Sequence, residues 1–401
     1  MVSGNCYSIP IRFNADGHRN KLGLNNLEKI PVFQPFINEN TKNHVNEALD
    51  VGWLGMGSYT KEFEDRISKF LELDERYVAA TNTGTSALHL ALKICGIGKG
   101  DEVITTSFNY VADHQAITMT GADVVMCDIQ EDNLGIDCKK VEKLITNKTK
   151  AIIPLHFAGI PCDQEGIFKI SKKYNLRIIE DAMHAFGTRI DKKKIGSYGD
   201  ITCFSFDPVK IVSSIDGGCV VVNNKEELEK LHRLRFLGVD KDVIQRYKNN
   251  RSWDYDVLNE GFRYHLNNIS AAFGISQIKH IEEFIQSRQK ICQRYNDAFK
   301  NIEEVKVPQT DFSNISPFIY SLRVLNGNRS KLIEYLKNQN IDVGIHFIPV
   351  HKHEYFKNSK CGNMDITNKV VQEVLTLPLH SLMEEEFVSR VINGVKDFFK
   401  K

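Results

Sequence analysis

The chain has no CxxC pair, no long apolar run, no block of basic residues, no internal repeat and no low-complexity tract. Each absence removes a class of protein. The nine cysteines, at 6, 95, 127, 138, 162, 203, 219, 292 and 361, are odd in number and scattered. That pattern argues against a disulfide framework or a zinc site and fits a reducing cytoplasm. Nothing is long and apolar enough to span a bilayer. The N-terminal MVSGNCYSIPIRFNADGHRNK lacks the continuous apolar core of a signal peptide and reads as an extension. A formal net charge of +1 offers no bulk attraction to nucleic acid or an anionic membrane. The glycines of GIGKGD follow no strand, so they make a turn and not a dinucleotide fingerprint.

What is present is an ordinary globular composition, 42% apolar over 401 residues, enough for one large domain and a smaller one. Short apolar runs bounded by turn residues recur at 77–81, 102–106, 123–127, 150–155 and 201–206. They alternate with helical patterns at 86–95 and 137–146, after two amphipathic helices at 39–50 and 58–71. Strands alternating with helices predict an α/β fold with a mostly parallel, doubly wound sheet. Beyond residue 267, one or two helices lead to strands at 305–307, 319–324 and 342–346 and helices at 329–338 and the C-terminus. That order predicts a smaller α+β domain.

One stretch organises the rest: RIIEDAMHAFGTRIDKKKIGSYGDITCFSFDPVKIVSSIDGG, residues 177–218. Its first apolar run ends in Glu180 and Asp181, and its second leads into Asp207-Pro208-Val209-Lys210. In a parallel sheet, ligands collect beyond the carboxyl ends of the strands, so Asp181 and Lys210 are expected to face one crevice. A lysine amine forms a Schiff base with pyridoxal 5′-phosphate (PLP), and an acid beside the pyridine nitrogen keeps that nitrogen protonated. A surface lysine and a solvated loop acid satisfy the same spacing, so the pair alone leaves both readings open.

The ordered set ED-A-M-H, GSYGD, FSFDPVK and DGG resembles the core signature of the DegT-type nucleotide-sugar aminotransferases, a branch of fold-type I PLP enzymes. The similarity runs from about Pro31 to the C-terminus. It implies an extension at 1–30, a large PLP-binding domain at 31–260 and a small domain at 261–401. By the same resemblance, Lys210 carries the cofactor and Asp181 faces the ring nitrogen. Gly84-Thr85-Ser86, at a helix start suited to an anion, anchors the phosphate together with Ser205. Tyr110 stacks on the ring, and His184 stands where relatives often place a glutamine against the phenolic oxygen. The family's Gly-x-Asn-Tyr-Arg turn reaches the cofactor of a neighbouring subunit. Here it reads Gly261-Phe262-Arg263-Tyr264-His265, with Arg263 in the Asn place and His265 in the Arg place.

The activity implied is transfer of an amino group, with glutamate the amine donor, to a nucleotide-linked keto-deoxysugar for surface polysaccharide or lipopolysaccharide. A homodimer with shared active sites is implied as well. Two rivals stand beside it: a small non-nucleotide keto substrate, and a non-enzymatic regulator built on a PLP fold. His156 reads as a cleft or loop-capping residue. His346, His351 and His353 lack the carboxylate or cysteine spacing of a metal site, so no metal is expected.

Overall fold

The computed structural model describes residues 27–240 and 242–400. Most of the extension expected at 1–30 lies outside the described residues. In chain order the strands are β1 (Tyr77–Thr81), β2 (Glu102–Thr106), β3 (Asp123–Cys127), β4 (Thr149–Ile153), β5 (Arg177–Asp181), β6 (Arg189–Ile190), β7 (Lys193–Lys194), β8 (Ile201–Ser205), β9 (Gly218–Val222), β10 (Val305–Lys306), β11 (Tyr320–Val324), β12 (Lys360–Cys361) and β13 (Val374–Leu377). Eight of them form one sheet in the order β1-β9-β8-β5-β4-β2-β3-β12. Only β9 runs against its neighbours, β1 and β8; the other pairings are parallel. The expected mostly parallel α/β sheet is therefore present, and the turns at one end of it make a crevice.

The sheet is buried on both faces because its strands are apolar on both. Helices α1 (Glu39–Asp50) and α2 (Ser58–Phe70) precede β1; Ala79, Cys203 and Val220 pack toward Leu88 and Leu92 of helix α3 (Gly84–Ile94) and Ile117 of helix α4 (Ala112–Met119). One residue along each strand, Ala80, Phe204 and Cys219 turn to the other layer, against Phe63, Ile67, Ala271 and Ile275. That alternation is the period of two expected of a strand. Burying a phenylalanine such as Phe204 stabilises the layer by about 1.5–3 kcal/mol.

The helix Asn268–Ile278 packs on the helices Glu39–Asp50 and Ser58–Phe70. Its apolar residues belong to the large-sheet layer, although they lie past residue 260. The first turns of the long helix Ile281–Phe299 (Ile281, Phe284, Ile285) still belong to that layer, and from Ile291 it passes to the separate cluster around Tyr295, Leu322 and Val391. We therefore propose that the two domains divide within this helix, between Ile285 and Ile291. The small sheet is antiparallel, β10-β11-β13.

The structure differs from the sequence reading in several elements, two of them at sheet edges. The strand expected at 342–346 is reduced to isolated bridges, Ile30 with Ile341 and Gly344 with Thr376. The backbone leaves the β13 edge after Gly344 and carries His346 and Phe347 into the crevice. Strand β12, only two residues long, was not expected; it closes the β3 edge of the large sheet from the C-terminal part of the chain.

Candidate active site

A cavity of about 450 Å³ opens beyond the carboxyl ends of β1, β2, β5 and β8. Its lining includes Asp181, His184, Ser205, Lys210, Gly84, Thr85 and Tyr110, so most of the expected site residues meet there. The volume is in the range of small-molecule sites.

Lys210 is delivered by a tight turn. Its N–H donates to the Asp207 carbonyl at 3.0 Å, and Pro208 occupies the turn position for which its fixed φ is suited. The Asp207 side chain accepts from the Val209 N–H at 3.0 Å, which locks the turn further. The Lys210 amine lies 4.0 Å from the Phe318 ring centre. Burial lowers its pKa to about 8, although Asp181 and Asp207 pull the other way.

Asp181 ends β5 and is almost fully buried. Its Oδ1 accepts from the Met183 N–H at 3.0 Å and its Oδ2 from Asn109 Nδ2 at 2.9 Å. His184 has two ring neighbours, Phe318 (4.4 Å between ring centres) and Phe347 (5.8 Å). Burial, then Lys210 and His346, push its pKa well below the usual histidine value. The neutral ring accepts at Nδ1 from the Ala158 N–H at 3.4 Å, which leaves the proton on Nε2 as a donor.

At the start of α3, Thr83 caps the helix by accepting from the Ser86 N–H at 3.0 Å, and Ser86 Oγ returns to Asn82 and Thr83. This capping box satisfies Ser86 internally. Ser86 is buried and is not among the residues that line the cavity. The Gly84 and Thr85 N–H groups have no intrahelical partner by helix geometry. A Cβ on Gly84 would stand 2.9 Å from Ser205 Cβ and 2.8 Å from Met183 Sδ. A Cβ on Gly218, from DGG, would stand 2.8 Å from the Gly84 nitrogen. Two bare glycines thus leave a cradle of backbone donors beside Ser205, shaped for an anion such as phosphate.

Tyr110 is 61% exposed at the cavity mouth, 6.1 Å from Phe347. Arg263 is exposed and absent from the lining of its own chain's cavity, although its neighbour His265 bridges to Thr81. His156 is fully buried away from the cavity, with its Nε2 3.0 Å from Glu180 Oε2. His351 pairs with Ser107 at 2.7 Å. Among the described residues no cluster suited to a metal ion is present.

Sequence reasoning missed Asn109, Asp113, Phe318, His346 and Phe347, all of which line the cavity. Burial, with Lys210 second, lowers the His346 pKa to about 4. A larger cavity of about 600 Å³ lies near Leu134 and Val307, but its Glu131 and Arg323 are ion-paired at 2.9 Å. The arrangement with the means for chemistry is the smaller one.

A lysine past one strand end and an acid at another, facing one crevice of a mostly parallel sheet, define the fold-type I class of PLP-dependent aminotransferases. The chain belongs to the DegT/DnrJ/EryC1/StrS aminotransferase family, whose model matches residues 35–396. It is 35% identical to the spore coat polysaccharide biosynthesis protein SpsC of Bacillus subtilis, over 92% of this chain and 97% of that one. It is 32% identical to the GDP-perosamine synthase of Escherichia coli O157:H7, over 93% and 99%. The putative sugar aminotransferase Spr1654 of Streptococcus pneumoniae, solved in its PMP form, matches with a TM-score of 0.85 and 29% identity, covering 92% of this chain and 99% of that one. Activity and cofactor follow from membership: amination of sugars with PLP.

Proposed function

We propose that the protein moves an amino group from glutamate to the keto carbon of a nucleotide-linked deoxysugar used for surface polysaccharide or lipopolysaccharide. The observation that carries this reading is the meeting of Lys210 and Asp181 in one 450 Å³ cavity beside the Gly84–Ser205 cradle. The names of two relatives, a GDP-sugar synthase and a spore coat polysaccharide protein, support the substrate class.

Bound PLP supplies a reactive carbonyl and an electron-withdrawing pyridine ring. The Gly84 and Thr85 N–H groups and the Ser205 hydroxyl would hold its phosphate. Asp181 would face the ring nitrogen, His184 Nε2–H the phenolic oxygen, and Tyr110 one ring face. Lys210 Nζ would hold the cofactor and then carry a proton between the two carbons of the 1,3 shift. A base with pKa about 8 is close to working pH, where it is both available and strong enough. The eight described cysteines are unpaired and no described helix is long and apolar enough to cross a membrane. Both observations support a cytoplasmic site of action.

The amine chemistry has a pH signature. Capture of PLP by the apoprotein requires neutral Lys210, so its rate should rise through pH about 8 and level off above. At pH 8 about half of such an amine is neutral, against about 0.3% for one with a pKa near 10.5. Stopped-flow absorbance checks this; a midpoint near 10 would mean the amine is not desolvated.

Arg263 serves, in this reading, the cofactor of the partner in a homodimer. Tyr110 and Ile215 are exposed beside the cavity, and Trp253 and Tyr255 are exposed in the segment leading to Arg263. A second copy would cover such apolar surface. Arg263→Ala and Lys210→Ala, each poor alone, should complement in mixed dimers, because one site then carries both defects and the other neither. With random pairing, about a quarter of wild-type activity should return. Mixed dimers, verified by mass, that stay no more active than the Arg263→Ala parent would exclude the shared site.

The substrate class is tested by offering glutamate with a panel of nucleotide-linked 3-keto and 4-keto deoxysugars and small 2-oxo acids. Turnover of at least one nucleotide-linked sugar, and none of the oxo acids as final acceptor at comparable efficiency, is expected. Turnover of oxo acids alone would transfer the reading to a small keto substrate.

A further inference from the structure

Behind Asp181 stands a second acid that the reaction scheme does not use. Asp113, in the first turn of α4, is 1% exposed, and Asp181 is 3% exposed. Asn109 Nδ2 lies 2.9 Å from Asp113 Oδ2 and 2.9 Å from Asp181 Oδ2, so one amide holds both carboxyls. The Thr105 hydroxyl closes the far side, 3.2 Å from Asp113 Oδ2 and 3.1 Å from the Ile153 carbonyl. Because both Oδ2 atoms sit on the same amide nitrogen, the two buried carboxyls lie within about 6 Å of each other. Two carboxylates that close in a buried site repel, and a proton on one of them removes the repulsion.

We infer that Asp113 is a protonated positioning residue, which with Asn109 fixes the Asp181 carboxylate so that the pair presents a single negative charge to the cavity. This rests on the reading of Asp181 as the partner of the cofactor's ring nitrogen. The electrostatics agree. Burial first, then the charge of Asp181, push Asp113 well above the usual carboxylate range, against the Thr105 and Asn109 donors. A helix start favours negative charge in its first turn, but that effect is modest beside two buried like charges held on one amide, which do not both ionise. The proton belongs on Asp113, because Asp181 also receives the Met183 N–H, and N–H donors favour the ionised form. A pair with one charge matches one pyridinium charge. A pair with two would leave one buried carboxylate uncompensated.

The test compares wild type, Asp113→Asn and Asp113→Ala. Infrared difference spectra of wild type minus Asp113→Asn, in apo- and PLP-loaded protein near neutral pH, should contain the carbonyl stretch of a protonated carboxyl. Asp113→Asn, which keeps shape and a donor but has no charge to lose, should hold kcat and cofactor affinity within about threefold of wild type. Asp113→Ala should lower kcat by about 10–100-fold, the scale of a small misplacement of a reacting group, with the glutamate KM nearly unchanged. If Asp113→Ala does not fold, Asn109→Ala withdraws the shared donor and is judged by the same criteria. A missing carboxyl band overturns the inference. So does an Asn variant as impaired as Ala, or an Ala variant with wild-type kcat. The band does not depend on catalysis: wild type that shows it but neither binds PLP nor transaminates would sink the enzyme reading and leave the protonated pair standing.

Discussion

Lys210→Ala should leave a folded protein whose kcat for amine transfer falls by on the order of 10⁴-fold or more, the upper range for removing a proton-transfer group. The fall is large because one amine has two duties, holding the cofactor and moving the proton. Lys210 is the lysine among the cavity-lining residues, and no neighbour can take its place. Folding should be spared. The side chain is half-buried at the cavity and makes no ion pair there; the Phe318 ring is its close contact. Its lowered pKa means that the folded state disfavours the charged amine. Removing the amine therefore relieves a desolvation cost below pH about 8, and the melting temperature should not fall. Steady-state assays and a thermal melt check both halves. Turnover within a hundredfold of wild type would contradict the assignment.

Asp181→Asn should still bind PLP but lose on the order of 100-fold or more in kcat. An opposite charge in contact shifts a pKa by about 1–3 units, and that support for the protonated ring nitrogen goes with the carboxylate. Stability should fall too. Asp181 accepts from both Asn109 Nδ2 and the Met183 N–H, and an amide at 181 can accept from only one of them through its oxygen. The other donor, left facing an NH₂ group in a buried site, costs about 1–3 kcal/mol. Absorbance of the bound cofactor, single-turnover rates and a melt separate the two effects. Near-wild-type kcat would make Asp181 a loop acid only.

Much of this was legible because the chemistry and the strand ends coincide. β1, β2 and β3 are apolar runs cut by turn residues, so their bounds followed from the pattern. Asp181 and Lys210 sat just past such runs, where an α/β sheet gathers its ligands. For Ser86 the sequence leaves capping and phosphate binding together, since both use the same turn; the structure shows the Thr83–Ser86 capping box. Asn109 and Asp113 gave no local sign: polar residues at a helix start are ordinary, and their partner Asp181 lies 72 residues from Asn109. Phe318, His346 and Phe347 reach the cavity from the small domain across folded distance that no periodicity encodes. The same holds for β12, too short to show alternation. Arg263 rests on the resemblance alone, since it is absent from its own chain's cavity.

The central claim is that Lys210 carries PLP in this cavity. The most direct measurement is borohydride reduction of the purified protein loaded with PLP, followed by protease digestion and mass mapping of the modified peptide. The account predicts one reduced cofactor per chain, on Lys210. Cofactor fixed to a different lysine, or none fixed to protein that is folded and saturated with PLP, would contradict it.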